Sequence, residues 1–273
     1  MKIGISASRY TDMRGFEEGL RQLRADGYDC IDYTDFVDTE TAKFRCSDTE
    51  FDAVILRERA FIESVGLEIS QTHGPWRWPP QDATAEDRCE RFEKMVRAIR
   101  GTALLGCRYF VIHPIMPWGR VEADAQIAHD LNLDFMSRLC RAAVSLGVVV
   151  CLENMPFPQQ SIATPEACLR LVRETGAPNI GMCLDTGHCT MHGVNPGDAV
   201  RMLGRDMLKV LHVHDNDGEK DRHWCPGDGV IDWRDFGAAL REIGFDGTLS
   251  LETKAVSGRE RELYEAARRL AGK

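Results

Sequence analysis

Short β-rich runs alternate with longer amphipathic runs along the chain. Eight runs have the Val- and Ile-rich composition of short strands, and several lack a clean apolar–polar alternation, which is typical of parallel strands buried on both faces. They cover residues 2–6, 30–33, 67–72, 109–113, 148–153, 180–185, 210–214 and 249–252. Between them, apolar residues recur at three- and four-residue spacing, which predicts amphipathic helices. The predicted helices cover residues 16–25, 50–65, 85–105, 123–146, 165–175, 196–203, 233–243 and 259–270.

Residues that favour helix ends mark several of these boundaries. Many predicted helices are followed by a glycine just before the next strand, where glycine takes the left-handed backbone conformation without penalty. These glycines are Gly27, Gly66, Gly106, Gly147, Gly176 and Gly244. Thr164-Pro165 and Asn195-Pro196 are typical of an N-cap followed by proline at the first helical position.

Strict alternation of strands and helices predicts an α/β protein with a parallel sheet. Eight repeats in 273 residues average about 34 residues each, the size of one βα unit. An open sheet of the Rossmann type would carry Gly-x-Gly-x-x-Gly after its first strand, but that position reads Ser6-Ala7-Ser8-Arg9-Tyr10. We therefore predict one (β/α)8 barrel that forms a single domain over residues 1–273.

Composition narrows the classes of function. The net charge is −9 and the basic residues are scattered, which argues against a protein that grips nucleic-acid phosphates. The ten cysteines form no Cys-x-x-Cys pair, so we expect free, buried thiols in a reducing compartment. No apolar stretch approaches the 18 residues of a membrane span, and the first residues do not resemble a signal peptide. We expect a cytoplasmic protein without a membrane partner.

Polar residues suited to metal binding follow predicted strands three to eight. In an α/β barrel these strand ends converge on one mouth, where active sites lie. Six of the eight histidines fall in these segments or in the loop after strand seven: His73, His113, His188, His212, His214 and His223.

Three carboxylates and one imidazole lie at the ends of strands five to eight. They are Glu153, Asp185, His214 and Glu252. Brought together without a cation, the carboxylates would repel one another, and a divalent ion resolves that repulsion. Mixed oxygen and nitrogen ligands suit Mn, Mg, Co or Zn, so the sequence predicts a divalent-metal site.

Several motifs carry a family resemblance. Leu152-Glu153-Asn154, Leu184-Asp185-Thr186-Gly187-His188, His212-Val213-His214, Leu251-Glu252 and Pro226-Gly227-Asp228-Gly229-Val230-Ile231-Asp232-Trp233 resemble those of the xylose-isomerase-like TIM-barrel superfamily. That superfamily includes sugar isomerases, ketose 3-epimerases, inosose dehydratases and endonuclease IV. The resemblance runs from strand one to strand eight and implies a TIM barrel.

The resemblance also implies an activity, namely metal-dependent isomerisation or epimerisation of a small sugar or sugar phosphate. Glu153, Asp185, His214 and Glu252 would hold one catalytic ion, and His188 would contact the substrate. Glu153 and Glu252 would serve as base and acid on opposite faces of the sugar. The proton would move through a metal-stabilised enediolate. Homo-oligomers are common among the resembling proteins.

Other residues near the predicted mouth are candidates for substrate contact. His73 and His113 could bind substrate oxygens. Trp76 and Trp118 could pack against the C–H face of a sugar. Arg222 could bind a substrate phosphate or carboxylate in a bidentate manner.

Two further residues are predicted to have supporting roles. We expect Asn154 to orient Glu153 as a hydrogen-bonding partner behind the metal site. We expect His212 to be structural, with its side chain in the helix layer or at the strand interface.

Three alternative functions remain open. A lyase or dehydratase acting on a sugar or an inosose-like substrate would use the same enediolate, and a sensor or scaffold would use no chemistry. The third is an abasic-site nuclease with three zinc ions, since Asp221-Arg222-His223 resembles the Asp-Arg-His segment of endonuclease IV. Its extra metal ligands would be His73, His113, His188, Asp221 and His223. The acidic net charge, and the lack of basic and aromatic insertions after strands one to three, argue against a base-flipping nuclease.

Overall fold

A computed structural model describes residues 1–76, 82–254 and 259–272, and in these ranges eight strands alternate with helices as predicted. Every predicted strand is present, and its boundaries differ from the prediction by at most two residues. The strands are β1 Lys2–Ser6, β2 Cys30–Tyr33, β3 Glu68–His73, β4 Tyr109–Ile112, β5 Val149–Glu153, β6 Ile180–Asp185, β7 Leu208–His212 and β8 Thr248–Leu251.

Within the described ranges all eight predicted helices are present, together with three short helices that the sequence pattern did not indicate, at Ser8–Arg14, Ala42–Arg45 and Thr186–Thr190. Seven or fewer residues are too short to show a helical period, which explains why they were missed. The helices are α1 Ser8–Arg14, α2 Phe16–Ala25, α3 Ala42–Arg45, α4 Asp48–Ser64, α5 Ala85–Leu104, α6 Ala125–Val144, α7 Pro165–Glu174, α8 Thr186–Thr190, α9 Pro196–Met207, α10 Trp233–Glu242 and α11 Glu260–Ala271.

The predicted helix ends are confirmed. Thr164 and Asn195 accept backbone N–H groups at the starts of α7 and α9, each with proline in the first turn. All six glycines predicted at helix C-termini have positive φ angles, between 60° and 108°. Helices α4 and α5 also begin with reciprocal capping boxes, at Ser47 and Thr84.

The eight strands form one parallel (β/α)8 barrel, which confirms the predicted fold. The strand order is β7-β6-β5-β4-β3-β2-β1-β8. Val213, just beyond β7, closes the ring against β8: its N–H donates to the Ser250 carbonyl at 2.8 Å, and its carbonyl accepts from the Glu252 N–H at 3.1 Å.

The two-residue period of each strand separates an outer core from the barrel interior. On β5, Val150 and Leu152 belong to the large core that includes the helices, whereas Cys151 packs with residues of neighbouring strands in a separate small cluster. This interior cluster comprises Val111, Val149, Cys151, Cys183 and Val210. The next inward residues on β5, β6 and β7 are Glu153, Asp185 and His212, so an apolar layer supports a polar one.

The prediction of free and mostly buried thiols is confirmed. All ten cysteines are free and eight of them are buried. Within the described ranges, no helix combines the length and apolar character needed to cross a bilayer.

The segment between β7 and α10 is folded around the buried side chain of Asp215. Its carboxylate accepts the N–H groups of Gly227 at 2.9 Å and Ile231 at 3.2 Å, and the indole N–H of Trp233 at 2.7 Å. A Cβ atom added at Gly229 would lie 2.3 Å from this carboxylate, so the turn leaves no room for a side chain there. The Pro-Gly-Asp-Gly-Val-Ile-Asp-Trp motif is therefore a structural turn.

We expect Asp215→Ala to lower the free energy of unfolding by about 3 kcal/mol or more. Three donors lose their acceptor, and each buried unsatisfied group costs roughly 1–3 kcal/mol. Urea denaturation measures the loss. Asp228→Ala is the matched control on the same turn, since Asp228 is exposed and its ion pair with Arg259 contributes at most about 1 kcal/mol. Equal losses in both variants would contradict the role of Asp215.

Candidate functional site

The carboxyl ends of the strands open into a cleft of about 780 Å³. This volume lies in the range of roughly 300–1,000 Å³ that is typical of small-molecule sites. Strand-end residues that are far apart in sequence meet in its lining: His73, His113, Glu153, His188 and Glu252. The predicted convergence on one mouth is therefore present.

Four side chains bring one donor atom each to within 4.8 Å of one another, and we call them the central group: Glu153, Asp185, His212 and Glu252. His212 Nδ1 lies 2.8 Å from Glu153 Oε1 and 3.3 Å from Glu252 Oε2. Glu153 and Glu252 line the cleft, while Asp185 and His212 have no exposed surface. The central group is thus a buried set of oxygen and nitrogen donors that opens to the cleft through its two glutamates.

The imidazole of the central group differs from the predicted one. The imidazole predicted for this group is His214, whereas His212 is predicted to be structural, with its side chain in the helix layer or at the strand interface. The structure instead brings His212 into the group, so the predicted placement of His212 is wrong. Residues two apart on a strand share a face, so His212 points inward like Val210. His214 lies beyond the end of β7, with its Nε2 3.0 Å from Asp185, and groups with other residues.

Asp32, on β2, holds His212 from behind and was missed by the sequence analysis. Its Oδ2 lies 3.0 Å from His212 Nε2 and accepts the Gln71 amide at 3.3 Å. A proton on Nε2 directed at this carboxylate leaves Nδ1 as the lone-pair donor facing the central group. The available signal was the sequence Cys30-Ile31-Asp32-Tyr33, because a carboxylate within a buried strand needs a partner.

A second set of donors lies beside the central group, and we call it the outer group: His188, His214, Asp221 and His223. Asp221 Oδ2 lies 3.0 Å from His223 Nε2 and 3.5 Å from His188 Nε2. The rings of His214 and His223 stack with their centroids 4.1 Å apart. The outer group contacts the central group through Asp185, which lies 3.0 Å from His214 and 3.6 Å from His188.

Two more imidazoles contact Glu153 from the other side. His113 Nε2 lies 2.9 Å from Glu153 Oε2, and His73 Nε2 lies 3.5 Å from the same oxygen. Glu153 therefore belongs both to the central group and to a trio with His73 and His113. All six histidines predicted at the mouth thus belong to one contiguous network with the carboxylates of the central group.

The electrostatics of the network fit a cation site. Burial alone would raise the pKa of Glu153, but His212 and His113 hold that pKa well below its ordinary value. Burial would lower the pKa of His188, but the carboxylates of Asp185 and Asp221 outweigh it and raise the pKa to about 10. The charged imidazoles of His188 and His212 thus balance ionised carboxylates, and a divalent cation can supply the same balance by displacing their protons. The donor set therefore fits a hard or borderline metal ion.

Two predicted substrate contacts lie away from the cleft, and we revise them. Trp118 is 39% exposed at the surface, outside the described lining of the cleft. Arg222 also lies outside this lining, because its guanidinium pairs with Asp217 at 2.7 Å and covers the ring of Trp224. Trp76 does line the cleft, with its ring edge-on to His113 at 4.4 Å.

Asn154 also differs from its predicted role. Its side chain brackets the backbone of Asp185, accepting from the Asp185 N–H at 2.9 Å and donating to the Asp185 carbonyl at 3.0 Å. It therefore positions Asp185 and not Glu153. Trp78, two residues after Trp76 in the sequence, lies outside the described residues.

Comparison with known proteins identifies relatives of this chain by sequence. The chain is 31% identical over 212 residues to the uncharacterized protein MJ1311 of Methanocaldococcus jannaschii, covering 74% of this chain and 68% of that protein. It is 28% identical over 155 residues to inosose isomerase of Bacillus subtilis, covering 54% of each chain. It is 31% identical over 117 residues to D-psicose 3-epimerase of Agrobacterium fabrum, covering 42% of this chain and 38% of that enzyme. The chain thus spans about half the length, or less, of these two named enzymes.

Solved structures agree on the fold. A D-tagatose 3-epimerase-like protein superposes with a TM-score of 0.82 at 24% identity, covering 100% of this chain and 97% of that one. The IOLI protein with a bound zinc atom superposes with a TM-score of 0.78 at 19% identity, covering 99% and 96%. A family model described as xylose isomerase-like TIM barrel matches residues 20–272. The chain therefore belongs to the xylose isomerase-like TIM barrel family.

Proposed function

We propose that this protein is a divalent-metal-dependent isomerase or epimerase of a small sugar or sugar phosphate. The observation that carries the proposal is the central group. In it, the donor atoms of two cleft-lining glutamates lie close to those of a buried aspartate and a buried imidazole. The names of two relatives, inosose isomerase and D-psicose 3-epimerase, support a sugar-like substrate.

Glu153, Asp185, His212 and Glu252 would hold the ion, which we propose is Mn, Co, Mg or Zn. A bound divalent cation would polarise a substrate carbonyl and stabilise the negative charge that develops on its oxygen. Asp32 and Asn154 would keep His212 and Asp185 in place, since both are fixed by hydrogen bonds from behind.

The two glutamates are suited to proton transfer because they reach the cleft from different strands. Glu252 follows β8 with its side chain 21% exposed, whereas Glu153 ends β5 and is almost fully buried. One carboxylate would remove the proton next to the carbonyl and the other would return it to the opposite face. His188 would hold a substrate oxygen, since its Nδ1 is fixed by the Asn154 carbonyl at 2.7 Å.

Aromatic side chains form part of the cleft wall beside these groups. Trp76 and Phe157 both line it. Flat rings can pack on the C–H face of a sugar and keep water from the reacting carbon. The free cysteines fit a reducing compartment, and we propose that the protein acts in the cytoplasm.

The outer group favours a second candidate, a site with two or three zinc ions as in the endonuclease IV branch. Asp221 and His223 lie with His188 and His214 as four further donors next to Asp185. The net charge of −9 is unfavourable for binding DNA, so we place this candidate second.

We expect protein purified without chelator to contain about one Mn, Co or Mg ion per chain, as measured by elemental mass spectrometry. Glu252→Ala should lose this metal because it removes a ligand from the central group. Glu219→Ala, on the exposed loop after β7, is the matched control and should keep it. Two or three Zn ions per chain would favour the nuclease, to be tested on DNA with an abasic site. Absence of metal after reconstitution would contradict both candidates.

We expect Glu153→Gln to lower kcat by about a thousandfold or more, because general acid–base groups contribute roughly 10²–10⁴-fold. The readout is deuterium uptake from D₂O into a panel of ketoses and aldoses, followed by NMR. Glu219→Gln serves as the control, and thermal unfolding checks that both variants are folded. Near-full exchange by folded Glu153→Gln would remove this residue from the mechanism.

We expect Asp32→Asn to weaken metal binding by about 10–100-fold, as is typical when a hydrogen-bonding partner of a histidine ligand is altered. Chelator competition measures the affinity. Asp12→Asn, which changes another carboxylate of the same cleft, should leave it unchanged. If Asp32→Asn alters only the thermal midpoint and not the metal affinity, Asp32 is a packing residue and does not position His212.

A further inference from the structure

The cleft extends well beyond the groups that the proposed chemistry uses. Much of its remaining lining comes from the end of β1 and from the segments that follow β1 and β2, and we call this part the β1–β2 side. Besides hydroxyl side chains such as those of Ser6 and Ser8, it contains two cations, Arg9 and Lys43, and three carboxylates, Asp12, Asp35 and Asp38. A substrate that fills the cleft would have one end at the central group and the other among these side chains.

Arg9 is the unusual member of the β1–β2 side. It lies at the start of α1, half-buried, and it makes no hydrogen bond or ion pair with any of the residues that the structure describes. Its Nε is fully buried without a partner. A half-buried guanidinium whose Nε lacks a hydrogen-bond partner is well placed to bind an anion that enters the cleft.

The other cation of the β1–β2 side shows the contrast. Lys43 donates to the Tyr33 hydroxyl at 2.7 Å and pairs with Asp35 at 2.9 Å and Glu58 at 2.8 Å. These partners already satisfy its ammonium group. Arg9 alone of the two cations has its charge available to a ligand.

The surroundings of Arg9 suit an oxyanion. The hydroxyl groups of Ser6 and Ser8 lie 3.1 Å apart and offer neutral donors in the same lining. Arg9 also lines a small pocket together with Lys254, Arg259 and Glu260, so three basic side chains face one acidic side chain there. A guanidinium binds the oxygens of a phosphate or a carboxylate in a bidentate manner, which a single ammonium group cannot do.

We propose that Arg9 binds an anionic group of the substrate, a phosphate ester or a carboxylate, while the carbonyl end of the same molecule meets the central group. Arg9 takes the role that the sequence analysis gave to Arg222, whose guanidinium is occupied by Asp217. The inference rests on the proposed function, because it names the substrate class of that site. It predicts a sugar phosphate or a sugar acid rather than a neutral sugar.

Calorimetric titration of the metal-loaded protein with inorganic phosphate, and separately with glucuronate, tests the site without turnover. We expect at least one of the two anions to bind, and to bind at least tenfold more weakly to Arg9→Gln. Arg222→Gln is the matched control and should bind like the wild type. The anion whose binding depends on Arg9 shows whether the anionic group of the substrate is a phosphate or a carboxylate. Absence of binding by both, or binding that Arg9→Gln does not weaken, overturns the inference.

The conservative variant Arg9→Lys distinguishes a loss of anion binding from a loss of folding. Arg9→Lys keeps the positive charge but loses the paired N–H donors that bind an anion in a bidentate manner. Its affinity for the anion should therefore fall between those of the wild type and Arg9→Gln. An affinity of Arg9→Lys as low as that of Arg9→Gln, with both variants showing lowered thermal midpoints, would indicate a structural role and overturn the inference.

Kinetics on a matched pair of substrates separates this inference from the proposed function. For fructose 6-phosphate and fructose, or another ketose pair that the enzyme accepts, Arg9→Gln should reduce kcat/KM for the charged sugar at least tenfold more than for the neutral one. The loss should fall mainly on KM. Equal losses would overturn the inference and leave the enzyme assignment intact. Absence of turnover with metal bound would count against the proposed function, while the anion titration would still decide the role of Arg9.

Discussion

A buried carboxylate stays ionised only where cations or hydrogen-bond donors offset its desolvation, and the mouth of this barrel is organised around that constraint. Glu153 is almost fully buried and lies 2.8–3.8 Å from four imidazoles, those of His73, His113, His188 and His212. Charge desolvation of this kind is costly unless every partner is in place. Because Glu153 belongs to two donor sets at once, the positions of the surrounding side chains depend on it.

The barrel satisfies this constraint by simple strand geometry. On β5, β6 and β7 an inward Cys or Val is followed two residues later by Glu153, Asp185 or His212, so each strand contributes one apolar layer and one polar layer. The apolar layer excludes water from below, which strengthens every charge interaction above it. The polar donors are also carried on rigid strands and not on loops, which favours a fixed geometry.

The periodicity of the chain was sufficient to predict the eight strands, the long helices and the convergence of the polar residues. It was insufficient where the chemistry depends on a side-chain direction or on a partner distant in sequence. His212 and His214 share one face, and only the point where β7 ends decides which of them meets Glu153. Asp32 lies 180 residues from His212. The sequence pattern also does not predict that the guanidinium of Arg222 pairs with Asp217. Nor does it predict that Arg9 Nε is buried beside the cleft without a hydrogen-bond partner.

The turn motif that carries much of the family resemblance lies outside the chemistry, yet it controls part of the site. Asp215 gathers the turn through its carboxylate, and its backbone pairs twice with Trp224, at 2.8 and 2.9 Å. The pairing of Trp224 fixes the residue before it, His223. His223 has a φ angle of 52°, which is uncommon for a residue other than glycine. In this strained position His223 Nδ1 reaches the Glu252 carbonyl at 2.6 Å and its Nε2 reaches Asp221. The hydrogen bonds of Asp215 offset the strain at His223, so the structural turn and the outer group form one unit.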